Sequence, residues 1–324
     1  MIRAIRFDQA GGPDVMHMVE IELTPPKAGE LRVRHSAIGL NFIDTYHRSG
    51  LYPLPLPTGL GLEASGVVEG VGEGVKDFGI GDRVAYGTGP RGAYADAANV
   101  PAARVTKLPS EISDETAAGM MLKGLTVRFL LRETYKVKAG ETILVHAAAG
   151  GVGLILCQWA KALGAIVIGT VGSAAKADLA RANGCTHVIN NRSEDVPAKV
   201  KEITDGKGVP VVYDGVGQAT LMMSLDSLQP RGLLVNFGNA GGPVKSLDLG
   251  LLAAKGSLYV TRPTLFTYVA DDRDLAASSR DLVDVVASGK VKIPVNQRYA
   301  LKDVAKAHHD LENGLTTGTT IFIP

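Results

Sequence analysis

Two hydrophobic rhythms divide the chain. Up to about Pro109, short alternations of apolar and polar residues, such as Ile2-Arg3-Ala4-Ile5-Arg6-Phe7, Leu31-Arg32-Val33-Arg34-His35-Ser36-Ala37 and Glu63-Ala64-Ser65-Gly66-Val67-Val68, are cut by turn residues at Thr24-Pro25-Pro26, Gly70-Val71-Gly72-Glu73-Gly74 and Gly79-Ile80-Gly81-Asp82. Short strands joined by tight turns predict a mostly antiparallel or barrel-like unit. From Thr142 the rhythm becomes strand, glycine, helix. The unbroken apolar run at 142–147 suits a strand buried on both faces, and Val152, Leu156, Trp159, Ala160 and Leu163 recur at helical spacing until Gly164. Further strand-like runs stand at 165–170, 187–189, 209–214, 232–237 and 257–261. Strands alternating with helices imply parallel crossovers, and six of them make a full doubly wound nucleotide-binding sheet. Beyond Pro263 the spacing predicts an amphipathic helix over 272–288, then strands near 297–301 and 319–323 in the style of the N-terminal part. The expected fold is α/β, with a tail that rejoins the first unit and an active site in the cleft between the two.

Candidate chemistry centres on Ala147-Ala148-Ala149-Gly150-Gly151-Val152-Gly153, a variant of G-x-G-x-x-G with Ala148 in the first glycine position. It follows a strand and opens a helix, the context that turns a weak glycine motif into a dinucleotide-binding one. Gly150 or Gly151 lets the backbone approach a pyrophosphate, Gly153 lets the helix pack on its strand, and the helix N-terminus supplies N–H donors. An NAD site places Asp or Glu about 20 residues on, at the end of the second strand. Here that stretch reads Gly169-Thr170-Val171-Gly172-Ser173-Ala174-Ala175-Lys176, with no carboxylate before Asp178. Ser173 and Lys176 are suited to a 2′-phosphate instead, so NADPH is the expected cofactor.

Composition removes other classes. A chain of 324 residues exceeds what one core usually serves, so two domains are expected. With 34 basic and 33 acidic side chains the net charge is +1, which offers no field for nucleic acid or an anionic membrane. No run approaches the ~20 apolar residues of a membrane span, the N-terminus lacks the apolar core of a signal peptide, and the two cysteines, Cys157 and Cys185, need no disulfide. Cytoplasm is the expectation.

The chain resembles the medium-chain dehydrogenase/reductase superfamily and, within it, the quinone oxidoreductase (ζ-crystallin-like) family. The resemblance runs over essentially the whole length and is carried by Gly39-Leu40-Asn41-Phe42-Ile43-Asp44-Thr45-Tyr46, Gly59-Leu60-Gly61-Leu62-Glu63-Ala64-Ser65-Gly66, Leu122-Lys123-Gly124-Leu125-Thr126, the loop at 147–153 and Gly256-Ser257-Leu258-Tyr259-Val260-Thr261-Arg262-Pro263. It implies a GroES-like β-barrel-type catalytic domain at 1–121 and 265–324 around a Rossmann domain at 122–264. Zinc members of the superfamily hold their catalytic metal with Cys and a Gly-His-Glu histidine. Here Asn41 and Leu62 occupy those positions, neither a serviceable zinc ligand, so no metal is expected. Without a metal to acidify an alcohol, the expected acceptor is already electrophilic: a quinone or, alternatively, a conjugated enal or enone.

By the family pattern, Asn41, Tyr46, Lys123 and Thr126 lie at the nicotinamide end, and Tyr46 or Tyr52 would give the proton an enone requires. Gly172, Ser173 and Lys176 meet the adenosine phosphate. Val216, Phe237, Gly238 and Asn239 line the nicotinamide-ribose side, bordered by Val260, Thr261 and Arg262. Two departures stand out: Asn191, where many relatives carry Tyr, and Gly314, where close relatives carry Arg; Arg192 is the expected compensating charge. His308, His309 and Asp310 are expected on a solvated helix, Cys157 in the core, His146 buried and hydrogen-bonded, and Asp44 as a helix cap or a support for Tyr46; none receives a catalytic role. A non-enzymatic alternative is an NADPH-binding structural or RNA-binding protein. The charge-free sixth strand, 257–261, is expected at a sheet edge, where it would pair with a second copy to give a homodimer.

Overall fold

A computed structural model describes residues 1–324. Residues Met1–Leu125, Val269–Gly289 and Ile293–Pro324 form one compact unit, and Thr126–Tyr268 with Lys290–Lys292 form the other. The chain passes between them inside the helix Asp114–Phe129.

In the first unit, a seven-stranded sheet is ordered Val295–Ala300, Thr319–Ile323, Glu30–Leu40, Ala64–Val71, Arg83–Tyr86 and Thr106–Lys107, with Ala97–Pro101 also pairing Glu30–Leu40. The C-terminal strand enters this sheet antiparallel, Thr320 opposite Leu40, which is how the tail closes the unit. A three-stranded sheet joins His17–Ile21, Ile2–Phe7 and Thr58–Gly59. The alternation at 31–37 buries Leu31, Val33, His35 and Ala37, around which Phe7, Leu60, Tyr86, Tyr94 and Phe322 complete a core. The helix Asp272–Ala287 belongs here as well, its Leu282 lying where a side chain on Gly124 would have to go.

The second unit holds six parallel strands, Thr142–Val145, Ile166–Val171, His187–Asn190, Val209–Asp214, Leu228–Asn236 and Tyr259–Thr261, in the spatial order third, second, first, fourth, fifth, sixth. Register runs Ile168 opposite Leu144 opposite Val212, and Leu234 opposite Val260. The order reverses at the first strand, so the carboxyl ends of the first and fourth strands flank the crevice where doubly wound sheets take ligands.

The sixth strand is shorter than its sequence suggests. Ser257 adopts φ +57° and Leu258 turns into the core, so pairing begins only at Tyr259. No helix is long and apolar enough to cross a membrane.

Candidate functional site

In the second unit, the candidate cofactor residues gather at the carboxyl ends of the strands. After Val145 the chain turns through Ala147, an alanine at φ +53°, and the helix Gly151–Ala162 begins at an N-cap, Gly150, that has no side chain to accept from the first turn. Its first N–H groups therefore have no acceptor from the cap, as an anion site at a helix start requires. Gly153 has no room for a side chain: a Cβ there would collide with the Ala147 carbonyl oxygen and with Ala148. Ala148 donates its N–H to the Thr170 carbonyl at 3.0 Å, tying the loop to the end of the second strand.

Beyond that strand end, Gly172 lies under Arg192, whose Nε is 3.2 Å from where a Gly172 Cβ would stand. Ser173 caps the next helix, its hydroxyl accepting from the Lys176 N–H at 3.4 Å. The Lys176 ammonium is half-buried. Burial first, and the Arg192 charge second, hold its pKa below the ordinary lysine value. Two cations forced into mutual repulsion are relieved when a phosphate comes between them.

Across the reversal of strand order, the buried Asp214 organises the facing loop. Its Oδ1 accepts from the N–H groups of Val216 (2.8 Å) and Gly217 (3.0 Å), and its Oδ2 from the hydroxyls of Thr220 (2.7 Å) and Ser224 (2.8 Å). Val216 is fixed in this way. A Gly238 Cβ would strike the Gly215 carbonyl oxygen, and a Gly215 Cβ would lie 3.0 Å from the Phe237 ring, so Val216, Phe237, Gly238 and Asn239 form one close-packed wall. Val260 and Thr261 pair with the fifth strand beside it, and Arg262 donates to the Asn236 carbonyl at 3.0 Å. Two polar atoms in this crescent are buried without a partner, His146 Nε2 and Asn236 Nδ2. The small-residue cradle, the cation pair and these two orphaned atoms fit a dinucleotide phosphate with a ribose end. Gly314 belongs to the first unit.

In the first unit, Asn41 ends the long strand and caps the helix Phe42–Ser49. Its N–H donates to Asp44 Oδ2 (2.9 Å) and its side-chain Nδ2 to Glu63 Oε2 (2.8 Å). Glu63 also accepts from the Leu122 N–H on Oε1 (2.8 Å) and from Lys123 Nζ on Oε2 (3.2 Å), with both charged side chains almost completely buried. The Tyr46 and Tyr52 rings meet edge to face at 5.2 Å, Tyr46 buried and Tyr52 half-buried. Thr126 lies three residues after Lys123 on the same helix, across the division between units.

The helix at the C-terminus corrects one expectation. His308 is not solvated but fully buried, because Val304, His308 and Leu311 share one face of the helix Val304–Glu312. Arg48 donates to its Nδ1 at 3.3 Å, and its Nε2 meets the Tyr94 hydroxyl at 3.2 Å; burial, then Arg48, lowers its pKa to about 3. Asp310 is buried too, accepting from Tyr299 at 2.7 Å and paired with Lys306, while His309 alone is exposed. Tyr94 in turn donates to Asp44 Oδ2 at 2.8 Å. Asp44 is thus both cap and buried hub, and desolvation raises its pKa to about 7. Cys157 lies in the core as a free thiol, its sulfur accepting a hydrogen bond from the Cys185 thiol at 3.4 Å. Glu63, Asp214, Arg48 and Tyr94 were not singled out from the sequence. Glycine-flanked acids in Gly61-Leu62-Glu63 and Asp214-Gly215 were the available signal.

Residues 27–110 match the alcohol dehydrogenase GroES-like domain family, and 151–270 the family described as zinc-binding dehydrogenase. The chain is 53% identical to a quinone oxidoreductase of Pseudomonas aeruginosa, with all of both chains covered, and 43% identical to a 2-haloacrylate reductase of a Burkholderia species, covering all of this chain and 99% of that one. The crystal structure of Escherichia coli quinone oxidoreductase complexed with NADPH superposes with a TM-score of 0.97 at 52% identity, covering 99% of this chain and all of that one. At the two positions that distinguish metal-holding members, this chain has an amide engaged by Glu63 and a buried leucine. The chain belongs to the quinone oxidoreductase family of the zinc-free medium-chain dehydrogenase/reductases.

Proposed function

We propose that this protein is an NADPH:quinone oxidoreductase that works without a metal. The observation that carries the reading is the phosphate end of the second unit: an N-terminus without a side-chain cap at Gly150, the Lys176–Arg192 cation pair after the second strand, and no carboxylate at the end of that strand. The Escherichia coli relative, whose crystal structure is complexed with NADPH, supports the same cofactor. When bound, NADPH supplies a hydride. The residues have separable tasks. Ala148, Gly150, Gly151, Val152 and Gly153 hold the pyrophosphate, and Gly172, Ser173, Lys176 and Arg192 read the 2′-phosphate. Val216, Phe237, Gly238, Asn239, Val260, Thr261 and Arg262 orient the nicotinamide ribose, and Asn41, Tyr46, Tyr52, Lys123 and Thr126 serve the reacting end. A quinone needs no Lewis acid, so orientation and electrostatic complementarity supply the catalysis.

The test is stopped-flow oxidation of NADPH against benzoquinones, naphthoquinones, conjugated enones and 2-haloacrylate. Turnover on quinones at least tenfold above the others is expected; turnover confined to the alkenes sinks the reading. We place the protein in a reducing cytoplasm, where the buried Cys157 and Cys185 thiols stay unpaired. We also assign a homodimer through the edge strand Tyr259–Thr261. Tyr259 is 61% exposed there, whereas Leu258 lies in the core, so Tyr259→Lys is the informative probe and should shift light-scattering mass from dimer to monomer. A wild-type monomer removes the assignment.

A further inference from the structure

The first unit contains a buried ion pair for which the binding roles above give no reason. Glu63 has no exposed surface, and the Lys123 side chain is 7% exposed. A pair in this setting costs desolvation that apolar residues of the same volume would avoid. The surroundings are shaped for it nonetheless. Gly39 has no side chain, and a Cβ there would collide with Glu63 Oε2. Three N–H donors converge on one carboxylate: Leu122 on Oε1, and Asn41 Nδ2 with Lys123 Nζ on Oε2.

A carboxylate oxygen only accepts, so the Asn41 amide must turn its nitrogen toward it. The same oxygen supplies the counter-charge of the ammonium. Other titratable groups within electrostatic reach of Glu63 are Asp44 and Tyr94, and Asp44 is also reached by Lys123. Asp44 Oδ1 has no hydrogen-bond partner.

The geometry points to Glu63 as a positioning residue for the reaction: its carboxylate holds the Lys123 ammonium and the Asn41 amide as one fixed pair of donors. This rests on the oxidoreductase reading, in which both residues serve the reacting end. Two-electron reduction of a quinone puts negative charge on its oxygen, and a proton from solvent completes the hydroquinone. An ammonium and an amide held in place stabilise that charge as it develops, without reorganising at the moment of reaction. Their effect therefore falls on kcat more than on KM.

Glu63→Gln is the test. Its single carbonyl oxygen cannot meet all three donors, so its NH2 opposes at least one of them, and buried Lys123 loses its counter-charge. In ligand-free protein, labelling of Lys123 by an amine-reactive reagent, read by mass spectrometry from pH 7 to 10, should rise at least fivefold over wild type with other lysines unchanged. In turnover, kcat on a naphthoquinone should fall at least tenfold, with KM within threefold. Glu63→Asp keeps the charge but loses one methylene of reach. It should label like wild type, lose kcat by a smaller factor, and serve if the glutamine variant does not fold. Wild-type kcat in both variants, or wild-type Lys123 labelling in a folded Glu63→Gln protein, overturns the inference. Absence of quinone turnover by the wild-type protein removes the oxidoreductase reading instead, and the labelling comparison then decides the placement of Lys123 alone.

Discussion

Asp44 makes the stability of the first unit pH-dependent in an unusual direction, and one substitution isolates its contribution. Its carboxyl is fully buried, accepts on Oδ2 from both the Asn41 N–H and the Tyr94 hydroxyl, and has no partner on Oδ1. Desolvation raises its pKa from 3.8 to about 7, against the opposing hydrogen bonds. The unfolded chain therefore releases this proton near pH 4, whereas the folded chain keeps it until about pH 7. Between those values the folded state binds more protons, so stability falls as pH rises and the loss is complete above the folded value. For a shift of this size the loss between pH 5 and pH 8 is about 2.5 kcal/mol. Asn in place of Asp44 keeps one carbonyl oxygen for both donors and puts its NH2 where Oδ1 has no partner, much as the protonated acid puts its O–H there. The margin of Asp44→Asn over wild type should thus widen by about 2–3 kcal/mol between pH 5 and pH 8. Burial also depresses His35 and His47 to about 4 and His308 to about 3, but these groups are common to both proteins and cancel in the difference. The only tryptophan, Trp159, lies in the other unit, so its fluorescence is the wrong probe. Hydrogen exchange of the peptide covering 42–49, in urea series at pH 5, 6.5 and 8, reports the right region. Parallel stability curves for the two proteins, or a variant that loses ground as pH rises, would refute the reasoning.

Other expectations concern the cofactor and the metal. Lys176→Ala should weaken NADPH by roughly 1.5–3 kcal/mol while changing NADH far less, measured by fluorescence titration; equal losses would remove the 2′-phosphate assignment. Gly153→Ala should lower affinity for both cofactors at least tenfold, because its Cβ meets the Ala147 carbonyl oxygen and the helix must withdraw from the loop; unchanged titrations would show that the loop does not depend on this approach. Metal analysis should find less than a tenth of a zinc per chain, and dialysis against a chelator should leave quinone turnover intact; stoichiometric zinc would overturn the reading of Asn41 and Leu62.

What was legible in the sequence was local. The glycine loop could be read because Gly153 answers to a steric demand only six residues away, at Ala147. The six strands could be read because strands buried on both faces stay largely apolar, as in Thr142–Val145 and the part of Val209–Asp214 before its terminal acid. The sixth strand reads longer than it is because Ser257 and Leu258 are as apolar or neutral as a strand residue, and only the positive φ at Ser257 separates them from it. His308 is buried against its local pattern for a different reason. Two adjacent histidines beside an aspartate suggest solvent, but the helical face set by Val304 and Leu311 carries one histidine inward and leaves the other outside. Glu63 and Lys123 are 60 residues apart, and only the folded sheet brings them together.

The first unit already has a sufficient apolar core around Leu31, Val33, Tyr86, Tyr94 and Phe322, so its buried charges are not needed to fill space. Around Asn41 the fold nonetheless keeps Glu63 with Lys123, Asp44 with Tyr94, and Arg48 with Glu312 at 2.7 Å. Buried ion pairs are weak evidence for stability and expensive to desolvate. In the reading proposed above, the Glu63–Lys123 pair beside Asn41 is kept for chemistry rather than for folding. The two units divide the work accordingly. In the function proposed above, the second would hold an anionic ligand with backbone, glycine and two cations, which demands close approach more than side-chain variety. The first fixes a few polar groups in a low-dielectric wall, where each hydrogen bond is stronger and an unpaired group costs more. In that reading, substitution of Glu63 or Lys123 should lower turnover in addition to costing the stability that is lost when one partner of a buried pair is removed.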